Sequence, residues 1–259
     1  MPPEPLQAFA DADLAAALAR VDALVARYRG LRAAGRILPN SVEAVRVELT
    51  YHSNAIEGST LTLRDTQLVI EGREPNTGKS LREIYEARNH DRALRLVETW
   101  AGTRPEDTLT EADLLAVHRD VMADIDPAGA GRFRTDRVLI TGTRFVPPGG
   151  HKFPVLIPAL LELANCPGVH PAVRAAELHY NLVAVHPFAD GNGRTARLLM
   201  NHHLLRHGFP HAVVPVERRA EYLAALEEAN AGRGGPFAAF ILQCVEDSAR
   251  WLIGDDSDA

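Results

Sequence analysis

Cysteine is almost missing from this chain. Only Cys166 and Cys244 occur in 259 residues, which excludes a disulfide framework and a cysteine-built metal site. Long apolar runs are missing too, and none approaches the ~20 residues a membrane helix needs. Positive charge is not in excess: 28 Lys+Arg stand against 34 Asp+Glu, for a formal net charge of −6. Binding to nucleic acid through bulk charge is thereby excluded, although local basic sites remain open. The first residues, MPPEPLQAFADAD, are acidic and lack the basic-then-apolar order of a secretory signal. The expected setting is a reducing cytoplasm, with no nucleic acid and no membrane as partner.

What the chain does have is helical periodicity. Leu14, Leu18, Val21, Val25, Tyr28 and Leu31 share one face of a first helix, ended near Gly35 and Pro39. Ser41 is read as the cap of a second helix that carries Val42, Val45, Leu49 and Ile56 and stops at Gly58. Thr62-Leu-Arg-Asp65 resembles a capping box and opens a short helix to Gly72. Further helices are expected over about 80–100, 110–123, 171–185, 194–206, 218–230 and 236–253.

One stretch breaks the pattern. Arg137 to Phe153, RVLITGTRFVPPGGHKF, alternates β-formers with turn residues and reads as a small β-hairpin. The fold class expected is therefore all-α, a helical bundle with one hairpin attached. Residues 1–40 are assigned to an N-terminal helical extension and residues 41–254 to the main domain.

Chemistry concentrates in HPFADGNGRTARLLMN, His186 to Asn201. Gly191-Asn192-Gly193 permits a sharp turn and a close backbone approach, because glycine has no Cβ. The amides of that turn meet the positive end of the next helix and form an anion site. Arg194 and Arg197, three apart, project from one helix face, and guanidinium forks suit phosphate oxygens. Asp190 can hold a hard cation such as Mg²⁺ together with substrate phosphates. His186 can take a proton near neutral pH. Base, metal ligand, anion hole and cation pair are the parts of a phosphoryl or nucleotidyl transferase.

Each part alone has a plainer explanation. A Gly-Asn-Gly sequence is usually only a turn, two arginines at that spacing are usually a solvated face, and Phe188 is read as a core anchor. Two apparent motifs are discounted. Asn76-Thr-Gly-Lys-Ser80 looks like the end of a P-loop, but Gly72 lies six residues before Gly78 instead of five, and a helix precedes it where a strand is needed. Ser80 reads instead as a helix cap. The pair His202-His203 lacks a third ligand at metal-like spacing and is assigned to helix surface.

The run from His186 to Arg197 resembles the FIC-domain signature HxFx(D/E)GNGRxxR at every defined position. SNAIEGSTLTL (53–63), AGRFRTDRVLI (130–140) and RAEYLAALEEAN (219–230) look like FIC segments in the same order, so the resemblance covers roughly residues 40 to 250. It is strongest to members with an N-terminal inhibitory helix, which include an endoplasmic-reticulum enzyme of animals.

That resemblance implies a FIC-type bundle and an adenylyltransferase (AMPylator) that moves AMP from ATP to a Ser, Thr or Tyr hydroxyl of a target protein. His186 would be the base, Asp190 the Mg²⁺ ligand, and Gly191, Asn192 and Gly193 the anion hole. Arg194 and Arg197 would bind the β- and γ-phosphates. Asn230 would lie near the nucleoside; Tyr222 is either a second contact there or a core residue. The hairpin at about 137–153 would be a flap that docks the target, and a homodimer is among the partners considered.

Ser53-Asn-Ala-Ile-Glu57-Gly58 resembles the family's inhibitory motif (S/T)xxxE(G/N), on a helix of about 41–58, with Ser59 where Asn is frequent. Ser53 and Glu57 are four apart and share a helix face. Glu57 would restrain the enzyme by taking the cation meant for the γ-phosphate. Other readings stay open: removal of AMP by the same site, phosphocholine transfer, a toxin, and a regulatory module that binds nucleotide without turnover. A Doc-like kinase fits less well because of Gly191. A pure binder needs no base, so His186 together with Asp190 favours an enzyme.

Overall fold

The computed structural model describes residues 4–9, 13–37, 39–75, 78–104, 106, 108–140 and 142–254. Ten α-helices follow one another: α1 (Ala15–Ala33), α2 (Pro39–Ile56), α3 (Leu63–Ile70), α4 (Leu81–Thr103) and α5 (Glu111–Met122), then α6 (Phe153–Asn165), α7 (Pro171–Val185), α8 (Asn192–Arg206), α9 (Arg219–Asn230) and α10 (Gly235–Ile253). The all-α class is observed, and no described helix is long and apolar enough to cross a membrane.

Three of the helices start where side chains satisfy free backbone amides. Thr62, Ser80 and Thr110 each form a complete capping box, with Asp65, Glu83 and Asp113 as the returning acids. The Ser80 cap agrees with its reading as a helix start; Asn76 and Thr77 of the same pseudo-motif lie outside the described residues. α2 begins at Pro39, two residues before the expected Ser41, because proline at a first helical position gives up an amide that would be unpaired anyway.

The centre is a helical hairpin, α7 and α8, joined by residues 186–191. Almost every α7 and α8 residue is buried, polar ones included. α4 and α5 pack on one side of it, while α9 and α10 pack on the other and α1 lies along α10. Val21 and Val25 of α1 therefore belong to the same apolar cluster as Phe237 and Ile241 of α10. The segment ahead of α1 is seated too. Asn181 accepts from the Gln7 amide at 2.7 Å and donates to its carbonyl at 2.8 Å, and Glu177 accepts from the Phe9 amide at 2.6 Å.

Three expectations need correction. The β-hairpin over 137–153 is not formed, since no strand occurs among the described residues and Phe153 already opens α6. The β-formers of the segment lack a strand to pair with: Leu139 is 82% exposed and Val146 66%. Pro147 and Pro148 supply no amide for a ladder. α6 is a helix beyond those expected from the periodicity, although it contains Pro154 and Pro158. Pro154 sits in the first turn, where proline is tolerated, and burial of Phe153, Leu156, Ile157 and Leu160 holds the rest. His202 and His203 are not surface residues: both are buried, His202 edge-on to the Trp100 ring.

Burying so many imidazoles makes the fold acid-sensitive. Burial lowers His90 to about 3, His118 to about 4 and His203 to about 2, and it also lowers His179 and His202. Above the unfolded value of about 6.5 both states are neutral at these rings. Below it the unfolded chain takes up protons that the folded chain refuses, each costing up to about 1.4 kcal/mol per pH unit. The urea unfolding midpoint should therefore be nearly level above about pH 7 and fall steadily from about pH 6.5 to about pH 5.5. A flat or rising midpoint over that range would contradict it.

Candidate active site

His186 caps the C-terminal end of α7 in a left-handed conformation, φ 50° and ψ 57°. It is the one non-glycine residue with positive φ among the described residues, an arrangement that costs roughly 1–2 kcal/mol unless neighbours enforce it. Its carbonyl accepts from Arg134 Nε at 2.7 Å, while its amide still donates to Leu182 at 2.9 Å. Nδ1 lies 3.2 Å from the Val183 carbonyl. A carbonyl only accepts, so Nδ1 carries the proton and Nε2 keeps its lone pair, as a general base requires. Burial moves the ring below the ordinary histidine value; Arg134 adds to that, while the Val183 carbonyl, Glu57 and Asp190 oppose it. The imidazole is thus neutral and able to accept a proton at pH 7.

The following turn is held by its own side chains. Asn192 accepts from the Phe188 amide at 3.0 Å and donates to the Phe188 carbonyl at 2.9 Å. Phe188 is fully buried, as a core anchor should be, and stacks on His118 with ring centres 3.6 Å apart. Gly191 is left-handed (φ 76°), and a Cβ there would lie 3.0 Å from Met122 Sδ. α8 then begins at Asn192, and no side chain caps its first turn. The amides of a helix start are thus directed at the cavity's edge, where an anion is favoured.

Arg197, 4% exposed, is the hub of the site. It donates through Nε to Ser53 Oγ at 2.9 Å and through Nη2 to the Ser53 carbonyl at 2.9 Å and Glu57 Oε1 at 2.7 Å. Burial works against its charge, and Glu57 and Tyr222 outweigh it, so its pKa lies above the ordinary arginine value. Ser53, in the last turn of α2, and Glu57, the first residue past its end, clasp one guanidinium. Glu57 also presses on the helix start: a Cβ on Gly193 would lie 2.4 Å from Oε1. Glycine at 193 leaves room for this carboxylate where it stands, and a larger residue would make the Glu57 side chain move.

Arg194 faces elsewhere. Its guanidinium lies 3.3 Å from Asp190 Oδ1 and 3.4 Å from Glu86 Oε1, so the two arginines do not share a partner. Asp190 is half-exposed and also bonds Arg82 through Oδ2 at 2.6 Å. Burial opposes its ionisation, but Arg194, the Gly191 amide and Arg82 hold it below the usual carboxylate range. A cavity of about 430 Å³ is lined by His186, Gly193, Arg197, Glu57, Tyr222 and Asn230. An adjoining cleft of about 380 Å³ is lined by Asp190, Arg194, Arg82, Glu86 and again Glu57. Glu57 stands between the base with one arginine and the acid with the other.

Comparison with known proteins agrees. The Fic/DOC family model matches residues 108–204. The solved structure of Fic-1 from Caenorhabditis elegans superposes with a TM-score of 0.80 at 35% identity, covering 92% of this chain and 71% of that one. This chain belongs to the Fic/DOC family. A Fic family protein of Desulfovibrio desulfuricans superposes with a TM-score of 0.82 at 29% identity, over 100% of this chain and 78% of that one. The curated relative "Protein adenylyltransferase fic-1" of Caenorhabditis elegans is 41% identical over 207 residues, 79% of this chain and 40% of its own length. "Protein adenylyltransferase Fic" of Drosophila willistoni is 36% identical over 244 residues, 93% of this chain and 48% of its own length. The chain thus spans less than half of the curated Fic relatives it matches.

Within this Fic chain the structure adds residues that the sequence did not single out. His118 donates from Nε2 to the Asp190 carbonyl at 3.0 Å and accepts from the Gly131 amide at Nδ1, also at 3.0 Å, tying the loop to the segment after α5. His179 lies 3.1 Å from Tyr222 Oη, which lies 3.5 Å from Arg197 Nη1. Tyr222 is therefore both core and cavity wall, packed among Phe237 and Phe240. Asn230 stands at the cavity's far end, where Tyr180 Oη reaches it at 3.4 Å. A histidine or arginine inside an amphipathic segment carries no local signal of such a role; only the fold shows what it touches.

Proposed function

We propose that this chain is a protein adenylyltransferase restrained by Glu57, moving AMP from ATP to a hydroxyl of a target protein. The observation that carries this reading is the Glu57–Arg197 contact at 2.7 Å inside the cavity that also holds His186. Nε2 of His186 takes the proton of the target hydroxyl. The hydroxyl oxygen bonds to the α-phosphorus, the bond from that phosphorus to the bridging oxygen breaks, and pyrophosphate leaves. The α8 amides at Asn192 and Gly193 and the guanidiniums of Arg194 and Arg197 would receive the phosphates; Asn230 and Tyr222 would border the nucleoside. The segment 137–149, with Leu139 and Val146 exposed, would dock the target by strand addition.

A divalent cation fits this site on chemical grounds. No cluster of three or more metal-ligating side chains exists among the described residues, so a buried protein cage is not available. Asp190 offers a half-exposed carboxylate within the loop, beside the Arg194 cleft, whereas Glu57 of the same cleft is engaged by Arg197; Arg82, on the second oxygen of Asp190, is mostly exposed. One carboxylate plus phosphate oxygens is how Mg²⁺ is commonly held beside nucleotides. The cation would neutralise phosphate charge in the leaving group.

Removal of AMP is a second reading supported by one detail. Glu57 uses Oε1 on Arg197, and its side chain is 42% exposed towards the cavity. A carboxylate in that position could orient a water for hydrolysis of AMP from the target.

ATP carrying a label on the α-phosphate, compared with a γ-label, tests the transfer. Only the α-label should reach protein; transfer of the γ-label would make the chain a kinase and overturn the proposal. Asp190→Ala should abolish the Mg²⁺-dependent part of ATP binding in calorimetry, since it is the loop's one acid. Equal strengthening by the metal in both proteins would remove Asp190 as its ligand.

A further inference from the structure

Arg134 is 7% exposed, and its guanidinium is spent entirely on carbonyls. Nε donates to His186 O at 2.7 Å, Nη1 to Asp136 O, and Nη2 to Pro148 O at 2.7 Å. Its own amide donates to Pro187 O at 2.9 Å. The Phe153 ring covers it at 5.0 Å from the ring centre. Among the described residues no carboxylate pairs with it, and burial alone lowers its pKa. A cation kept from water with no anion is an expensive arrangement.

The three carbonyls explain what it does. Asp136 immediately precedes the segment 137–149, which carries the exposed β-formers, and Pro148 is next to its last residue. His186 is the left-handed residue whose ring supplies Nε2. One rigid, planar group with donors in a fixed fork thus joins both roots of the segment to the backbone of the base.

We propose that Arg134 is a positioning residue that fixes the distance between the target-docking segment and His186, so that a hydroxyl held on the segment arrives in reach of Nε2. The inference rests on the adenylyltransferase reading for its consequence, but its geometry is independent of ATP. Arg134 does not line the Arg197 cavity; it lines a separate groove with His118, Thr135 and Ala189, at whose edge Asp190 also stands, and its side chain makes no bond to Asp190. It touches no group that the nucleotide would touch. Its loss should therefore separate acceptor chemistry from nucleotide binding.

The test uses Glu57→Gly protein as the labelling control, with Arg134→Met and Arg134→Lys added to it. Arg134→Met should lower kcat for transfer to protein by about 100-fold, the usual effect of an ångström-scale misplacement. The KM for ATP should stay within about twofold, because the phosphate-binding groups are untouched. Arg134→Lys should recover part of the rate, since an ammonium can still reach one or two carbonyls. The acid limb of the pH profile should move to higher pH in Arg134→Met. Burial, the Val183 carbonyl, Arg134, Glu57 and Asp190 act on the His186 ring, and Arg134, the cation among them, is removed.

An unchanged kcat in folded Arg134→Met overturns the inference. So does a loss of kcat matched by an equal loss of ATP affinity, which would mean general destabilisation. If the control itself does not label protein, the functional reading fails, and hydrogen exchange of the 137–149 and 186–191 amides then decides. Faster exchange of both segments in folded Arg134→Met supports the tie between them; unchanged exchange overturns it.

Discussion

Glu57→Gly is expected to raise AMP transfer, including self-modification, at least about tenfold, a barrier change of about 1.4 kcal/mol. Two obstructions disappear together. Arg197 loses the carboxylate 2.7 Å from Nη2, which leaves its charge for a phosphate; Ser53 still holds the guanidinium through two hydrogen bonds. The face of Gly193, against which Oε1 is pressed, opens at the positive end of α8. An ATP kept from these groups binds out of line with His186, and a displacement of about 1 Å can cost ~10² in rate. The expected gain is set well below that because breaking a buried charge pair also has a cost. Glu57→Gln, which keeps the bulk and loses the charge, should fall between wild type and Glu57→Gly. The glycine variant should also lose any AMP-removing activity, since the group that would orient water is gone. Initial rates of AMP addition and of AMP release measured on one target protein check both halves; AMP release at the wild-type rate would refute the second.

His186→Ala should have the largest effect of any single replacement, lowering transfer by about 10²–10⁴-fold while ATP binding stays largely intact. The ring lines the cavity, its Nδ1 is held by the Val183 carbonyl, and it makes no hydrogen bond to Arg194 or Arg197. The left-handed backbone at 186 costs an alanine at least as much as a histidine, so the unfolding midpoint of the variant should be no higher than that of wild type and is measured alongside the rate. In the wild-type protein the pH profile should rise through a value below the ordinary histidine range and be flat at neutrality, because burial has already lowered the ring's pKa. Transfer by His186→Ala at near the wild-type rate would eliminate the base.

The site was legible in the sequence to the extent that its groups lie close in the chain. His186, Asp190, Gly191, Asn192, Gly193, Arg194 and Arg197 sit within twelve residues, and a short loop between two helices must bring them together. The role of Glu57 came only through resemblance: a Ser and a Glu four apart on a helix have no meaning until α2 is packed against α8. Arg134, His118 and His179 were illegible for the same reason, since their partners are backbone atoms or rings supplied by distant segments. In the fold, caps such as Thr62 and Ser80 were readable from local side-chain chemistry. α6 was not, because tertiary burial of its apolar face overrides the local signal of two prolines. The segment 137–149 was read as a hairpin from its residue types, yet residue type does not supply a strand to pair with. Exposed β-formers there suit a partner that the chain itself does not contain.

The central claim is that Glu57 restrains an AMP transferase through Arg197 and the α8 start. Self-labelling from ATP carrying an α-phosphate label, run side by side on wild type, Glu57→Gly and Glu57→Gly with His186→Ala, tests it most directly. The account requires weak labelling of the wild type, at least about tenfold more in Glu57→Gly, and a return to background when His186 is also replaced. Equal labelling of wild type and Glu57→Gly would contradict it and leave the 2.7 Å contact between Glu57 and Arg197 as a structural ion pair at a helix end.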